Sequence, residues 1–96
     1  MEIKNEERHH AGAFYIDDNG ERLGEMRYLV RDNTVMNIYH TEVSDKLKGH
    51  HIGEKLVEAG VKYARENNFK ILPTCTFARS VFNRTPAYDD VLVKNF

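Results

Sequence analysis

The change of hydrophobic period across residues 43–53 constrains this chain more than any other feature. Thr34 to about Val43, with Val35-Met36-Asn37-Ile38-Tyr39 at its centre, is rich in β-branched and aromatic residues and reads as a strand. From Ile52 to about Asn67 the spacing becomes helical: Ile52, Leu56, Val57, Gly60, Val61 and Ala64 share one face. Glu54, Lys55, Glu58, Lys62, Arg65 and Glu66 take the other, and Glu58 and Lys62 form a favourable i,i+4 pair. Where a strand gives way to a helix in this manner, the first backbone N–H groups of the helix lack intrahelical acceptors. Those donors and the helix dipole make an anion site, with phosphate its usual occupant. Gly49 and Gly53, flanked by Lys48 and Lys55, permit positive φ and a close approach of ligand to backbone.

The chain before this transition reads as an antiparallel meander. His10–Ile16 is a short strand that includes His10, Asn19-Gly20 is a strong hairpin signal, and Glu21–Val30 alternates with Met26, Tyr28 and Val30 on one face. Arg31-Asp32-Asn33 turns into the Thr34 strand. After the helix, Asn67-Asn68 is a plausible left-handed C-cap, Phe69–Pro73 a strand and Phe77–Arg84 a short helix with Phe77, Val81 and Arg84 on a shared face. Thr74 or Thr76 is the expected cap of that helix, Pro86 its stop, and Val91-Leu92-Val93 a final edge strand within 87–96. Strand, helix and strand over 34–73 form a βαβ unit with parallel strands, so the glycine loop and Thr74-Cys75-Thr76 emerge side by side at one sheet edge. Ligands of open α/β sheets bind at that edge.

Composition narrows the class. The 96 residues suit one small domain, 1–96, and the net charge of -1 supplies no general basic field for nucleic acid. No apolar run approaches the roughly 18 residues that span a bilayer, and the charged start Met1-Glu2-Ile3-Lys4 is not that of a secretory signal. One cysteine excludes an internal disulfide framework and suits a reducing cytoplasm. The histidines have no metal-binding spacing, so no metal site is expected.

Lys48-Gly49-His50-His51-Ile52-Gly53 resembles the pyrophosphate loop of the GNAT acyl-CoA-dependent N-acetyltransferases, Arg/Gln-x-x-Gly-x-Gly/Ala. His40-Thr41-Glu42-Val43, Pro73-Thr74-Cys75 and Pro86-Ala87-Tyr88 extend the likeness, in order, to a minimal single-domain branch of that superfamily. Lys48 stands in place of arginine or glutamine, His51 in place of the loop's middle glycine, and Thr85 in place of a histidine before the proline. The resemblance implies a mixed α/β (α+β) GNAT fold, acetyl-CoA or CoA as cofactor, and acetyl transfer to an amine acceptor that the sequence does not name. From charge and hydropathy, no nucleic-acid or membrane partner is expected. A second reading keeps CoA binding without catalysis, because the N-terminal helices that build acceptor sites in larger relatives have no counterpart here.

Residue by residue, the resemblance places Lys48, Gly49, His50, His51, Ile52, Gly53 and Glu54 against the cofactor phosphates. Val43, at an expected bulge, supplies an N–H to the developing oxyanion. Thr76, Arg79, Asn83 and Arg84 on the short helix reach the phosphates or the pantetheine arm. Glu42 and His40 are candidate bases for an ammonium substrate, and Tyr88 a candidate acid for the leaving thiolate. Cys75, at the start of the short helix where the dipole favours a thiolate, either takes the acetyl group or lines the acyl pocket.

Overall fold

The structure is a computed structural model and describes residues 2–94. Its order is β1 (Lys4–Arg8), β2 (Ala11–Asp18), β3 (Glu21–Arg31), β4 (Val35–Val43), α1 (Ile52–Asn67), β5 (Lys70–Pro73) and α2 (Thr76–Asn83). Short 3₁₀ turns occupy Asp45–Leu47 and Pro86–Val91. The strands form one mixed sheet in the order β1-β2-β3-β4-β5, antiparallel except that β5 runs parallel to β4. The expected meander and βαβ unit are therefore present.

One strand was not legible in advance. β1 is exposed at every position and pairs with β2 through Glu6 opposite Ala13. Its anchor is polar: Asn5 Nδ2 donates to Tyr28 Oη (3.0 Å) and to the Ala13 carbonyl (3.1 Å), and the Tyr28 hydroxyl donates to Glu7 Oε1 (2.9 Å). Gly12 makes this route possible, since a Cβ there would lie 2.6 Å from the Tyr28 ring and hydroxyl. His10, expected within the first strand, instead forms the β1–β2 turn together with His9, at φ 67° and 55°. The other hairpin turns fall as read, at Asn19-Gly20 and Asp32-Asn33, all four residues with positive φ.

α1 buries the face its spacing marked, from Ile52 to Ala64. Gly60 sits where a Cβ would come 2.8 Å from Met26 Cε, which accounts for a glycine in mid-helix. The helix ends as a Schellman motif: Asn68 is left-handed (φ 59°) and the Phe69 N–H bonds the Ala64 carbonyl at 2.8 Å. α1 and α2 share a single core with Met26, Tyr28, Met36 and Ile38. The residues alternating with these make the opposite face of the sheet, where Leu29 and Tyr39 are exposed.

Three local expectations are corrected. Neither Thr74 nor Thr76 caps α2; Cys75 does, its Sγ accepting the Ala78 N–H at 3.4 Å, while the Thr74 hydroxyl donates to Asn37 Oδ1 at 2.7 Å. The buried face of α2 is Ala78, Val81 and Phe82, leaving Phe77 half-buried and Arg84 exposed as the C-cap. The final edge strand is replaced by the Pro86–Val91 turn followed by one parallel bridge, Leu92 to Ile71. Arg65 holds that turn to α1 by pairing with Asp90 at 2.7 Å. Asn95 and Phe96, the end of the expected strand, lie outside the described residues.

Because β1 depends on the Tyr28 hydroxyl, Tyr28→Phe should cost about 1 kcal/mol, the net value of an ordinary hydrogen bond. Amide hydrogen exchange should quicken in residues 4–8 and leave β4 and α1 nearly unchanged; uniform quickening would show that the network does not act locally.

Candidate functional site: the cleft between β4 and α1

β4 and β5 share a register from Val35 opposite Lys70 to Ile38 opposite Pro73, and there β5 ends. Proline has no N–H to continue the ladder. The Ile38 carbonyl instead accepts the N–H groups of Thr74 (2.9 Å) and Cys75 (3.2 Å), which turns the chain into α2. Between Arg27 opposite His40 and Tyr28 opposite Ile38 the β3–β4 register slips, so Tyr39 is the extra residue of a bulge. The bulge expected near Val43 thus lies four residues earlier. Beyond it, β4 runs from Tyr39 to Val43 with no strand on its β5 side. Thr41 and Val43 face the helices, and His40 and Glu42 are exposed on the opposite face.

The segment after β4 folds into the other wall. Ser44 N–H bonds the Leu23 carbonyl at 2.7 Å, and Ser44 Oγ accepts the Lys46 N–H at 3.2 Å, which fixes the 3₁₀ turn and buries Leu47. Gly49 then takes φ 85° and His51, the N-cap of α1, takes φ 56° and ψ 36°. The first bond of α1 runs from Lys55 N–H to the His51 carbonyl at 3.1 Å. The N–H groups of Ile52, Gly53 and Glu54 therefore have no acceptor one helical turn back.

Together these elements enclose a cleft of about 450 Å³. Its inner wall is apolar, from Thr41, Val43, Leu47, Ile52 and Phe77. Lys48, Gly49, His51, Gly53 and Glu54 form its polar side. Seven of the residues marked from sequence thus meet here: Val43, Lys48, Gly49, His51, Ile52, Gly53 and Glu54. Thr41, Leu47 and Phe77 were not marked. The strand alternation that places Val43 also places Thr41, whereas Phe77 reads in sequence as one more apolar helix residue.

Gly53 has a steric reason beyond ligand approach: a Cβ on it would lie 2.5 Å from Phe77 Cζ, so the ring rests on the glycine. Glu54 turns back toward the helix start, with Oε2 3.0 Å from His51 Nδ1. That hydrogen bond, with its own backbone N–H and the nearby Arg84 guanidinium assisting, holds the Glu54 carboxyl below the usual carboxylate range.

Other marked residues stand outside the cleft. The His50 N–H is bonded to the Leu47 carbonyl at 3.2 Å, and its side chain is exposed. Thr76 and Asn83 are exposed at the two ends of α2, and Arg84 Nη1 donates to Ser80 Oγ at 3.2 Å. Glu42 lies beside Glu25 in a separate depression of about 160 Å³. Tyr88 packs its ring edge-on to Phe82, 5.8 Å between centroids, and burial pushes its hydroxyl pKa up. Cys75 touches the cleft through a neighbour: its Sγ is 3.4 Å from Thr41 Oγ1.

The sequence model of the GCN5-related N-acetyl-transferase family matches residues 13–91. The chain belongs to that family. Its members transfer an acetyl group to an amine, and the chain is accordingly an N-acetyltransferase. A GCN5-like protein from Staphylococcus aureus, solved by NMR in solution, is 39% identical, with 99% of this chain matching 90% of that one at a TM-score of 0.73. The ribosomal-protein-alanine N-acetyltransferase of Brucella melitensis biovar Abortus is 16% identical over 93% of this chain and 66% of its own, at a TM-score of 0.62. GCN5 of Tetrahymena is 13% identical over 93% and 64%, at a TM-score of 0.65. The last two share the fold, and the chain spans about two thirds of their length. No curated protein matches the sequence.

Cys75→Ala removes the α2 cap and should lower stability by about 0.5–1 kcal/mol, whereas Cys75→Ser, which replaces a weak sulfur acceptor with oxygen, should retain or raise it. Thermal melts of the two variants decide this. Equal loss in both would show that the sulfur matters through packing rather than capping. A second outcome follows from Glu54. Its carboxyl is depressed in the folded state, so its contribution is present above the unfolded value, near 4.5, and is lost as pH falls through the folded one. The stability difference between wild type and Glu54→Gln should therefore shrink on acidification from pH 6 to about pH 3; a difference that stays constant would exclude a charged role.

Proposed function

We propose that the chain, as a single catalytic domain over 1–96, binds acetyl-CoA in the cleft and transfers its acetyl group to a primary amine. The observation that carries this is the meeting in one cleft of an unpaired strand edge, Thr41–Val43, with the free N–H groups at the start of α1. Acetyl-CoA offers complementary groups: a diphosphate for Ile52, Gly53 and Glu54 N–H and for Lys48, an amide-bearing arm for the β4 edge, and an activated acetyl group. An extended amide chain adds to a free strand edge by the same hydrogen bonds as another strand. The apolar wall of Leu47, Ile52 and Phe77 excludes water from the arm.

The thioester end then lies where β4 and β5 part, beside Thr41 and Cys75. A backbone N–H of β4 beyond the Tyr39 bulge is free to stabilise the negative charge that develops on the carbonyl oxygen. The acceptor nitrogen forms its bond to the acetyl carbon as the carbon–sulfur bond breaks, its proton passes to a base, and the sulfur regains one on leaving. Glu42 and His40, on the opposite face of β4, suit an amine that enters through the strand gap from that side. Cys75 takes no acetyl group in this reading; its sulfur is engaged by the Ala78 N–H and the Thr41 hydroxyl, and direct transfer needs only its shape. A small-molecule amine and a protein lysine or N-terminus both meet these requirements. CoA supply and a lone unpaired thiol favour the cytoplasm as the place of reaction.

Calorimetry with CoA tests the assignment. Affinity should fall with added salt, and Lys48→Ala should weaken CoA by about three- to ten-fold while leaving pantetheine, which has no diphosphate, unaffected. Salt-independent CoA binding would remove the phosphate assignment. Intact-mass spectrometry after incubation with acetyl-CoA settles the role of Cys75: no acetyl adduct, and a Cys75→Ala variant that still transfers to an amine, are the expected results. An adduct that disappears on adding amine would establish the covalent route instead.

A further inference from the structure

We propose that Glu54 and His51 form an internal latch, in which the Glu54 carboxylate stands in for a phosphate at the start of α1 until the cofactor displaces it and takes over the His51 ring. The inference rests on the CoA reading of the cleft and concerns what holds that site when no cofactor is bound. Glu54 is the third residue of α1, in the first turn, where a carboxylate is attracted by the same free N–H groups and dipole that attract phosphate. Glu54 is one of the residues that line the cleft. The His51 ring fixes it there at 3.0 Å.

The histidine is what makes the arrangement possible. His51 occupies a left-handed N-cap position that glycine would adopt without strain. Glycine there would leave the carboxylate without its partner. With histidine, the left-handed backbone aims Nδ1 along the first turn, onto the residue three positions ahead. The ring is itself 77% exposed and on the cleft wall, so it can exchange one anion for another without entering the core.

The surrounding charges favour such an exchange. Lys48 lines the same cleft from the loop, and Arg84 at the end of α2 is close enough to attract the Glu54 carboxyl. Lys55 follows the pair in sequence. β4 contributes the uncharged Thr41 and Val43 to the wall, and α2 contributes Phe77. An arriving diphosphate therefore meets several cationic groups and one competing anion, Glu54. That anion must move aside, so the pair sets cofactor affinity below what the loop alone would give and hastens release of CoA after transfer.

The experiment compares wild type with Glu54→Gln, which keeps the size and a hydrogen-bonding oxygen but removes the charge. CoA, ADP (the phosphate end alone) and pantetheine (the arm alone) are titrated by calorimetry at fixed salt and pH. The expected result is CoA and ADP binding tightened by about three- to ten-fold in Glu54→Gln, with pantetheine unchanged. In parallel, the ring nitrogen resonances of His51 in the wild type should shift on adding ADP. Glu54→Ala, checked for folding by circular dichroism, should tighten ADP in the same direction although it also removes the carboxylate's support of the helix start. Unchanged or weaker CoA and ADP binding in Glu54→Gln, or equal tightening of pantetheine, would overturn the latch while leaving the CoA site standing. CoA binding to neither protein would overturn the reading of the cleft and the latch with it.

Discussion

Two parallel strands stop sharing hydrogen bonds at Ile38 and Pro73, and the rest of the site depends on that parting. Proline ends the ladder from one side because it has no N–H. The Tyr39 bulge ends it from the other by turning β4 away and exchanging the faces of the residues beyond it. Without the bulge, strict alternation would put His40 and Glu42 toward the helices and Thr41 and Val43 outward. With it, the small and apolar residues face the cleft and the ionisable ones face the other side. The Ile38 carbonyl, taking two N–H groups from the chain that leaves β5, starts α2 at once and so fixes Cys75 next to Thr41. One irregularity in a sheet of five strands therefore sets which side chains line the cleft and which face the other side.

The parts legible in the sequence were those encoded by neighbours within a turn or two. The apolar face of α1, the Asn68 cap, the Asn19-Gly20 hairpin and the order of meander and βαβ unit all rest on local spacing or local conformation. β1 rests on neither. Its anchor joins Asn5 and Glu7 to Tyr28, more than twenty residues away, and its exposed side chains carry no alternation to detect. The cap of α2 was missed because sulfur is a poor acceptor and two threonines flank the position; packing directed Thr74 to Asn37 instead. Phe77 was invisible as a site residue because an apolar residue on a helix reads as core until the glycine beneath it is seen. The glycine loop, by contrast, was recognisable as a motif, and its left-handed glycine and the histidine at the helix N-cap fall within the expected segment.

Phe77 and Gly53 show how packing and ligand binding share residues in so small a domain. The glycine leaves the helix start bare, where the diphosphate is proposed to sit, and the phenyl ring rests on it from the side. The ring in turn closes the apolar wall of the cleft, the wall proposed to carry the cofactor arm. A side chain at residue 53 would press on both. Loss of binding in a variant there has two sources, which is why Lys48 and Glu54, neither buried against the core, give the cleaner account of the phosphate interaction.

The left-handed backbone positions carry a related argument. Among the described residues, positive φ apart from glycine occurs at His9, His10, Asn19, Asp32, Asn33, His51 and Asn68, and not at any β-branched residue. These types tolerate the left-handed region because their short polar side chains hydrogen-bond locally. Most of these positions close turns, where glycine would serve as well and cost more entropy in the unfolded chain. His51 differs, since it lies on the cleft and its ring engages Glu54. A loop that in the resembling enzymes exposes bare backbone at this point here presents an imidazole ring held by a carboxylate. The backbone conformation that a glycine would supply is kept, and a side chain that hydrogen-bonds the first turn of α1 is added to it.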